Sequence, residues 1–471
     1  MFIAREKELQ TLEKLYAQQK LALAAVYGRS GMGKTALLQQ FLQHKRGLHF
    51  TALEAVELLN LQAFARSVSE YFALPQDESP LQSWDEVLAV VATKAQQEPF
   101  VLVLDEFYYL AHTAICSALR QLAKSNPECK LLIIISSSQF NFMESGLMSA
   151  KSPLAGLLKA VLPLKGMPYY EAAQFLAGFS DEDKLILYAC LGGAPQYLSL
   201  VDAKKSLAEN LEQLYLRPSG FLYNATMLLL KQELRELTLY NSILATIAQG
   251  VIRMNEIAMQ LAVTPNTLNA YLRTLSNLHL LARICPWNED LRRTRKTKYI
   301  FEDNHYRFWY YFVFGLQGEI AVGHTQEVVR KVQQGMDAYM QHGAFREICE
   351  QYLLRLNTQG RLPFRATSFG TWWGLDARSK VQETIDIALA DEAGKKLLLA
   401  DCFWQSVVTV QDIQALLAKG ALFPEYDKQT YVIFSRQPFT AEVQAMAAQK
   451  DCLHLLTLAD LFADCEKSSD K

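Results

Sequence analysis

Three short, uninterrupted apolar runs mark the first third of the chain: LALAAVY at 21–27, FVLVL at 100–104 and LLIII at 131–135. Each has the length of a strand, and an unbroken apolar run reads as a strand covered on both faces. The spacing then changes. TALLQQFLQ at 35–43 reads as a helix, and from about Ser180 to Glu236 apolar residues recur three and four apart, as in LILYACL and LLLKQELREL. Residues 240–284 predict a helix, a short helix, a turn and a longer helix, the last opened by Thr264-Pro265, a capping residue followed by proline. Strand-like LLARICP and TKYIFE follow, with a charged hairpin between them, so this segment reads as a winged helix-turn-helix. The aromatic run DNHYRFWYYFVFG at 303–315 admits two readings, a base-stacking strip or a helix buried between other elements, and the buried helix is favoured. After about Gly343 come a helix (AFREICEQYLLRL), strand-like TWWGLD, ETIDIAL and KKLLLADCFWQS, then YVIFSRQPFT as strand and helix.

Composition narrows the class. The chain has 471 residues, half of them hydrophobic and a fifth charged, which suits roughly three domains with sizeable cores. A net charge of −2 speaks against a wholly basic nucleic-acid protein, although local patches are compatible with one. Eight cysteines without a CxxC pair read as reduced thiols, not a disulfide framework or zinc site. The start MFIAREKELQ is charged from its fifth residue, unlike a signal peptide, and no apolar run is long enough to span a bilayer. The expectation is a soluble cytoplasmic protein without a membrane partner.

The chemistry is concentrated after the first apolar run. Gly28-Arg29-Ser30-Gly31-Met32-Gly33-Lys34-Thr35 fits GxxxxGK[ST] in full, between a predicted strand and a predicted helix. Glycines let such a loop close around phosphate oxygens and aim its N–H groups inward. Lys34 is expected to reach the β- and γ-phosphates of ATP, Thr35 to ligate Mg2+, and Ala36 to lie in the first turn beside them. The second apolar run ends in Asp105-Glu106, at the strand end where open α/β sheets bind ligands. Asp105 suits the Mg2+ shell and Glu106 suits a base orienting the attacking water. The third run ends in Ser136, Ser137 and Ser138. Ser137 and Ser138 stand where a γ-phosphate sensor is placed, though hydroxyl runs after strands are also ordinary turns.

An ordered set of motifs carries a family resemblance: FIAREKEL, the phosphate loop, LVLDEF, SSSQFNFMES, SPLAG, GGAPQYL and LLLKQELRE. Together they resemble the STAND-type ATPases of the archaeal and bacterial clade, a branch near the AAA+ proteins. The resemblance implies an α/β fold: a P-loop parallel-sheet core at 1–165, a helical lid at 166–236, a winged helix-turn-helix at 237–310, a connecting helical segment at 311–341 and a nuclease-like domain at 342–471. It also implies that Arg5 flanks the nucleotide base and that Pro195, in Gly193-Ala194-Pro195, packs near adenine. Relatives often carry an arginine just after PLxG, whereas this chain has Leu157, Leu158 and then Lys159. Arginine stabilises transition-state charge as leucine cannot, so weak or partner-dependent hydrolysis is expected.

Two further sites follow. The hairpin offers Arg292, Arg293, Arg295, Lys296 and Lys298, and residues 250–300 hold eight Lys/Arg against three Asp/Glu. That is a candidate DNA phosphate contact, although winged helices also bind proteins. In the C-terminal third, the resemblance to PD-(D/E)XK nucleases places acids at Glu347, Asp386 and Asp401, but the lysine position is Phe403. A phenyl ring cannot stabilise negative charge. Lys380, Lys395 and Lys396 are the nearby cations in sequence, and a degenerate domain kept for a protein partner is favoured over an active nuclease. The expected function is an ATP- and ADP-responsive, Mg2+-dependent switch. The alternatives are an ATP-regulated nuclease of a defence or mobile-element system and an origin-initiator-like DNA-binding ATPase.

Overall fold

A computed structural model describes residues 2–74, 81–110, 113–376 and 380–463. The chain divides into two compact units, Met1–Met167 with Ala194–Gln196, and Pro168–Gly193 with Tyr197–Lys471. The segments expected at 166–236, 237–310, 311–341 and 342–471 thus fall almost wholly within the second unit. The exceptions are 166–167 and the short stretch Ala194–Gln196, which belong with the first.

The first unit is built on five parallel strands: β1 (Ala22–Tyr27), β2 (Gly47–Thr51), β3 (Phe100–Asp105), β4 (Leu131–Ser137) and β5 (Leu158–Pro163). Their order across the sheet is β2-β3-β4-β1-β5. The three central strands are buried at every position, which is why each reads as an unbroken apolar run. The edge strand β5 alternates between half-buried and exposed. Leu61, Phe64 and Val68 from one helix and Val87, Val91 and Ala95 from another pack on the sheet. Because all five strands point the same way, the carboxyl ends of β1, β3 and β4 open on one edge of the sheet, where Gly28, Asp105 and Ser137 lie.

After two short helical turns at Tyr169–Ala172 and Ala173–Leu176, the second unit includes helices Asp181–Leu191, Leu207–Tyr215 and Phe221–Glu233. Helices Thr238–Ala248, Met254–Gln260 and Pro265–Asn277 follow, then the antiparallel pair β6 (Leu281–Ile284) and β7 (Lys298–Phe301). Thr264 caps the third of these helices by accepting the Thr267 N–H at 3.2 Å, with Pro265 in its first turn. The aromatic run forms a continuous helical path through Asn304–Phe308, Trp309–Val313 and Phe314–Ala321, with Phe308 and Trp309 wholly buried. The Trp309 indole N–H donates to the Tyr223 carbonyl at 3.0 Å, so its polar edge is satisfied inside the protein and its face is closed to bases. A mixed sheet of order β12-β11-β10-β9-β8 closes the unit: β8 (Ser368–Leu375), β9 (Gln382–Asp391), β10 (Lys396–Phe403), β11 (Lys428–Ser435) and β12 (Leu453–Thr457). β8, β9 and β10 pair antiparallel, whereas β10, β11 and β12 pair parallel. Among the described residues no helix is long and apolar enough to cross a membrane.

Candidate nucleotide site

The loop after β1 is shaped by two kinds of glycine constraint. Gly31 and Gly33 both sit at φ +85°, a left-handed conformation that a side chain disfavours. Gly28 is needed for a different reason: a Cβ there would run into the backbone carbonyl of Leu164, which follows β5. Helix Lys34–Leu42 starts directly after Gly33, so its free N–H groups face the loop. Ser30, Thr35 and Ala36 are exposed, whereas Met32 and Lys34 are buried. The Lys34 Nζ donates to the carbonyls of Gly28 at 2.8 Å and Arg29 at 3.2 Å. Burial pulls its ammonium below the ordinary lysine value, against the opposing pull of Glu106 and Asp105.

Asp105 is the most constrained acid of the site, 3 % exposed. Its Oδ2 accepts from the Thr35 hydroxyl at 3.2 Å and lies 3.2 Å from His49 Nε2, and its Oδ1 accepts the Glu106 N–H at 3.0 Å. Burial alone would raise the carboxyl, but hydrogen bonding from His49, Ser136 and the Glu106 amide, with the charge of His49, outweighs it and holds the group at about 2. Asp105 is therefore fully ionised at neutral pH. Glu106 adopts φ +49°, unusual for a residue with a side chain. Its carboxylate accepts from the Ser138 hydroxyl at 2.5 Å and the Ser138 N–H at 3.3 Å, while Ser137 Oγ accepts the Gln139 N–H at 3.2 Å. Of the two serines, Ser138 is thus the one joined to the acidic pair.

Arg5 and Pro195 also come to the loop. The Arg5 guanidinium donates to the Met32 carbonyl at 3.3 Å and the Lys165 carbonyl at 2.6 Å, and pairs with Glu8 at 3.3 Å. It ties the phosphate loop to the end of the sheet. A Cβ on Gly33 would lie 3.5 Å from Pro195 Cγ, and the neighbouring Gln196 N–H donates to the Gly31 carbonyl at 3.2 Å.

Residues 2–201 match the model of a family described as an ATPase domain predominantly from Archaea. The N-terminal part is an archaeal-type ATPase domain. Beyond the ATPase domain, residues 309–415 match a second family, described as archaeal and bacterial proteins of unknown function. An uncharacterized protein of Methanocaldococcus jannaschii is 25 % identical over 412 residues, 86 % of this chain and 88 % of the relative. Among solved structures, a Walker-type ATPase of Pyrococcus abyssi superposes with a TM-score of 0.49 at 20 % identity, covering 66 % of this chain and 96 % of that one. The ORC2 protein of Aeropyrum pernix, solved as ADPNP-ADP complexes, gives 0.43 at 14 % identity, covering 70 % and 95 %.

Outside the ATPase domain, the hairpin cations divide. Arg292, Arg293, Arg295 and Lys296 are exposed. Arg292 and Arg293 lie 3.4 and 3.8 Å from Asp290, and Lys296 pairs with Glu289 at 2.6 Å. Such exposed pairs are weak and leave the charges open to competing phosphates. Lys298 does not belong to this surface. It stands 4.0 Å over the Trp373 ring, and burial, with Arg253 and Arg346 nearby, pulls its ammonium down to about 8. The base of the hairpin is anchored by Trp287, whose backbone N–H donates to Thr371 at 2.9 Å and whose indole donates to Ser368 at 3.0 Å, both on β8.

The three acids of the C-terminal third do not converge. Glu347 pairs with Arg307 at 2.9 Å; burial raises its carboxyl against that guanidinium and Arg346. Asp386 and Asp401 sit side by side on β9 and β10. Asp386 accepts the Cys402 N–H at 2.9 Å, and Asp401 accepts the Asp386 N–H at 3.3 Å. Burial, then the neighbouring Asp401, pushes the Asp386 carboxyl up. Asp401 is paired at 2.6 Å with Lys419, on helix Val410–Lys419, a cation other than Lys380, Lys395 and Lys396, the ones nearby in sequence. Phe403 packs against the apolar core beneath. Among the described residues no three His, Cys, Asp or Glu side chains gather into a group able to hold a metal ion. The two strand acids thus meet each other and Lys419, whereas Glu347 is held by Arg307.

Sequence reasoning missed His49 and Lys419. Both reach the acids across strand or helix packing, and neither belongs to a local motif.

Proposed function

We propose that the chain is a Mg2+-dependent ATP switch in which the ATPase domain senses nucleotide and the second unit delivers the response. The observation that carries this reading is the meeting of the Thr35 hydroxyl with the ionised Asp105 carboxylate at 3.2 Å beside the buried Lys34. Hard oxygen donors of this kind suit Mg2+, and Thr35 and Asp105 are the residues that would hold it. When bound, the ion neutralises phosphate charge. The Lys34 ammonium exchanges the Gly28 and Arg29 carbonyls for phosphate oxygens, and the loop N–H groups take the remaining lone pairs. Pro195, beside Gly33, is the residue we assign to the base, and Arg5 holds the loop through the Met32 carbonyl.

Glu106 is the candidate base. Its pairing with Ser138 holds it before reaction, and release from that hydroxyl frees it to orient water. Ser138 thus couples the state of the γ-phosphate to the base. Leu157 and Leu158 supply no charge after the PLxG motif, so hydrolysis is slow unless a partner contributes a cation. The exposed Arg292, Arg293, Arg295 and Lys296 suit salt-sensitive contact with a DNA backbone. The Asp401–Lys419 and Glu347–Arg307 pairs suit a scaffold for a protein partner better than a nuclease centre.

A ligand drives such a switch only through its differential affinity for two conformations. Small-angle scattering of the full chain is therefore expected to give different profiles with ATP analogue and with ADP. Superimposable profiles would count against the switch.

A further inference from the structure

We infer that His49 is a positioning residue for the Asp105 carboxylate, setting how strongly Mg2+ is held with the nucleotide. The inference rests on the reading of Asp105 as a metal-holding acid. β2 and β3 pair in parallel with Thr51 opposite Asp105 and His49 opposite Val103. Alternation along a strand puts positions 49, 103 and 105 on one face of the sheet. The His49 imidazole accordingly reaches Asp105 Oδ2 at 3.2 Å, the same oxygen that accepts the Thr35 hydroxyl at 3.2 Å. An ionised carboxylate only accepts, so His49 must donate from Nε2 in whichever protonation state it holds.

The consequence is a carboxylate fixed at both ends. Oδ1 is pinned by the Glu106 backbone amide at 3.0 Å, and Oδ2 by two side chains from different elements. With His49 absent, Thr35 would be the one side chain of this pair still bonded to Oδ2. Thr35 is also the hydroxyl that the metal would engage, so Oδ2 would lose the side-chain donor that is free of the metal, leaving the carboxylate held chiefly at Oδ1 by the Glu106 amide. Partners of this kind, touching a metal-holding group and not the metal, typically change metal affinity by about 10- to 100-fold when removed.

The test is the ATP affinity of the full chain by calorimetry, with Mg2+ and again with EDTA, for His49→Leu, His49→Gln and Asp105→Asn. The ratio of the two affinities isolates the metal contribution from general folding effects. His49→Leu is expected to lower that ratio by about tenfold or more while leaving the EDTA affinity within about twofold. His49→Gln, whose amide can donate from a similar position, is expected to keep the ratio within about threefold of the parent chain. Retention of the full ratio in His49→Leu, with the ratio lost in Asp105→Asn, would overturn the role of His49 alone. An equal loss in His49→Gln and His49→Leu would overturn it too, since donation would then not be what matters. A full ratio in Asp105→Asn would overturn the reading of Asp105 and the inference with it.

Discussion

Replacing Glu106 by glutamine is expected to lower steady-state ATP hydrolysis by roughly 100-fold or more, with ATP affinity changed only a few-fold. The substitution preserves size and keeps an oxygen that can accept from the Ser138 hydroxyl, which holds Glu106 at 2.5 Å. What it removes is the negative charge that orients and deprotonates water. A positioned base contributes about 10²–10⁴-fold to rate, whereas binding rests on the loop amides, Lys34 and the Asp105–Thr35 pair, none of which changes. Phosphate release and calorimetric affinity, measured on the same preparation, separate the two effects. Unchanged turnover would remove Glu106 from the reaction. A parallel fall in affinity would show that the substitution had disturbed the loop instead.

The second large effect concerns the C-terminal sheet. Lys419→Met is expected to destabilise the second unit by about 3–5 kcal/mol, the usual range for stripping one partner from a buried ion pair. The Lys419 and Asp401 side chains are only 14 % and 13 % exposed, so water cannot take over the pairing. Asp386 makes the loss depend on pH. Its carboxyl is raised by burial and by Asp401, so the folded chain takes up a proton where the unfolded chain is still ionised. Stability from that group is fully present below the ordinary aspartate value of about 4 and is lost as pH rises through the raised value. Lys419 favours the ionised form of Asp386, so its removal raises that carboxyl further. The deficit of the variant, read from denaturant unfolding, is therefore expected to be largest near pH 8 and to shrink towards pH 5. A deficit under about 1 kcal/mol at pH 8 would mean that the pair is effectively solvated.

The parts legible in sequence are those whose physics is local. β1, β3 and β4 are buried on both faces and so are continuous in apolar character. The phosphate loop is specified by eight consecutive residues, and its glycines take the backbone conformations that the motif requires. The edge strands were not legible. β2 (GLHFT) is mostly half-buried and β5 (LKAVLP) alternates, so neither forms an apolar run. The residues that tune the acids were hidden for a related reason. His49 meets Asp105 only through the register of two parallel strands, and Lys419 meets Asp401 only through a helix packed beside β10. Lys298 shows the opposite failure: one more cation in a basic run by sequence, it is drawn onto Trp373 by tertiary packing. Charge counting along a chain cannot distinguish it from Arg292 or Arg293, which are left in solvent.

The most direct test is calorimetric titration of the purified chain with ATP in magnesium buffer, alongside Lys34→Ala. One site per chain is expected, weakened by about one to two orders of magnitude when the Lys34 ammonium is removed, as fits the loss of a charged hydrogen bond of about 1.5–3 kcal/mol. No uptake by the parent chain, or equal affinity in Lys34→Ala, would contradict the assignment of the loop after β1 as the nucleotide site.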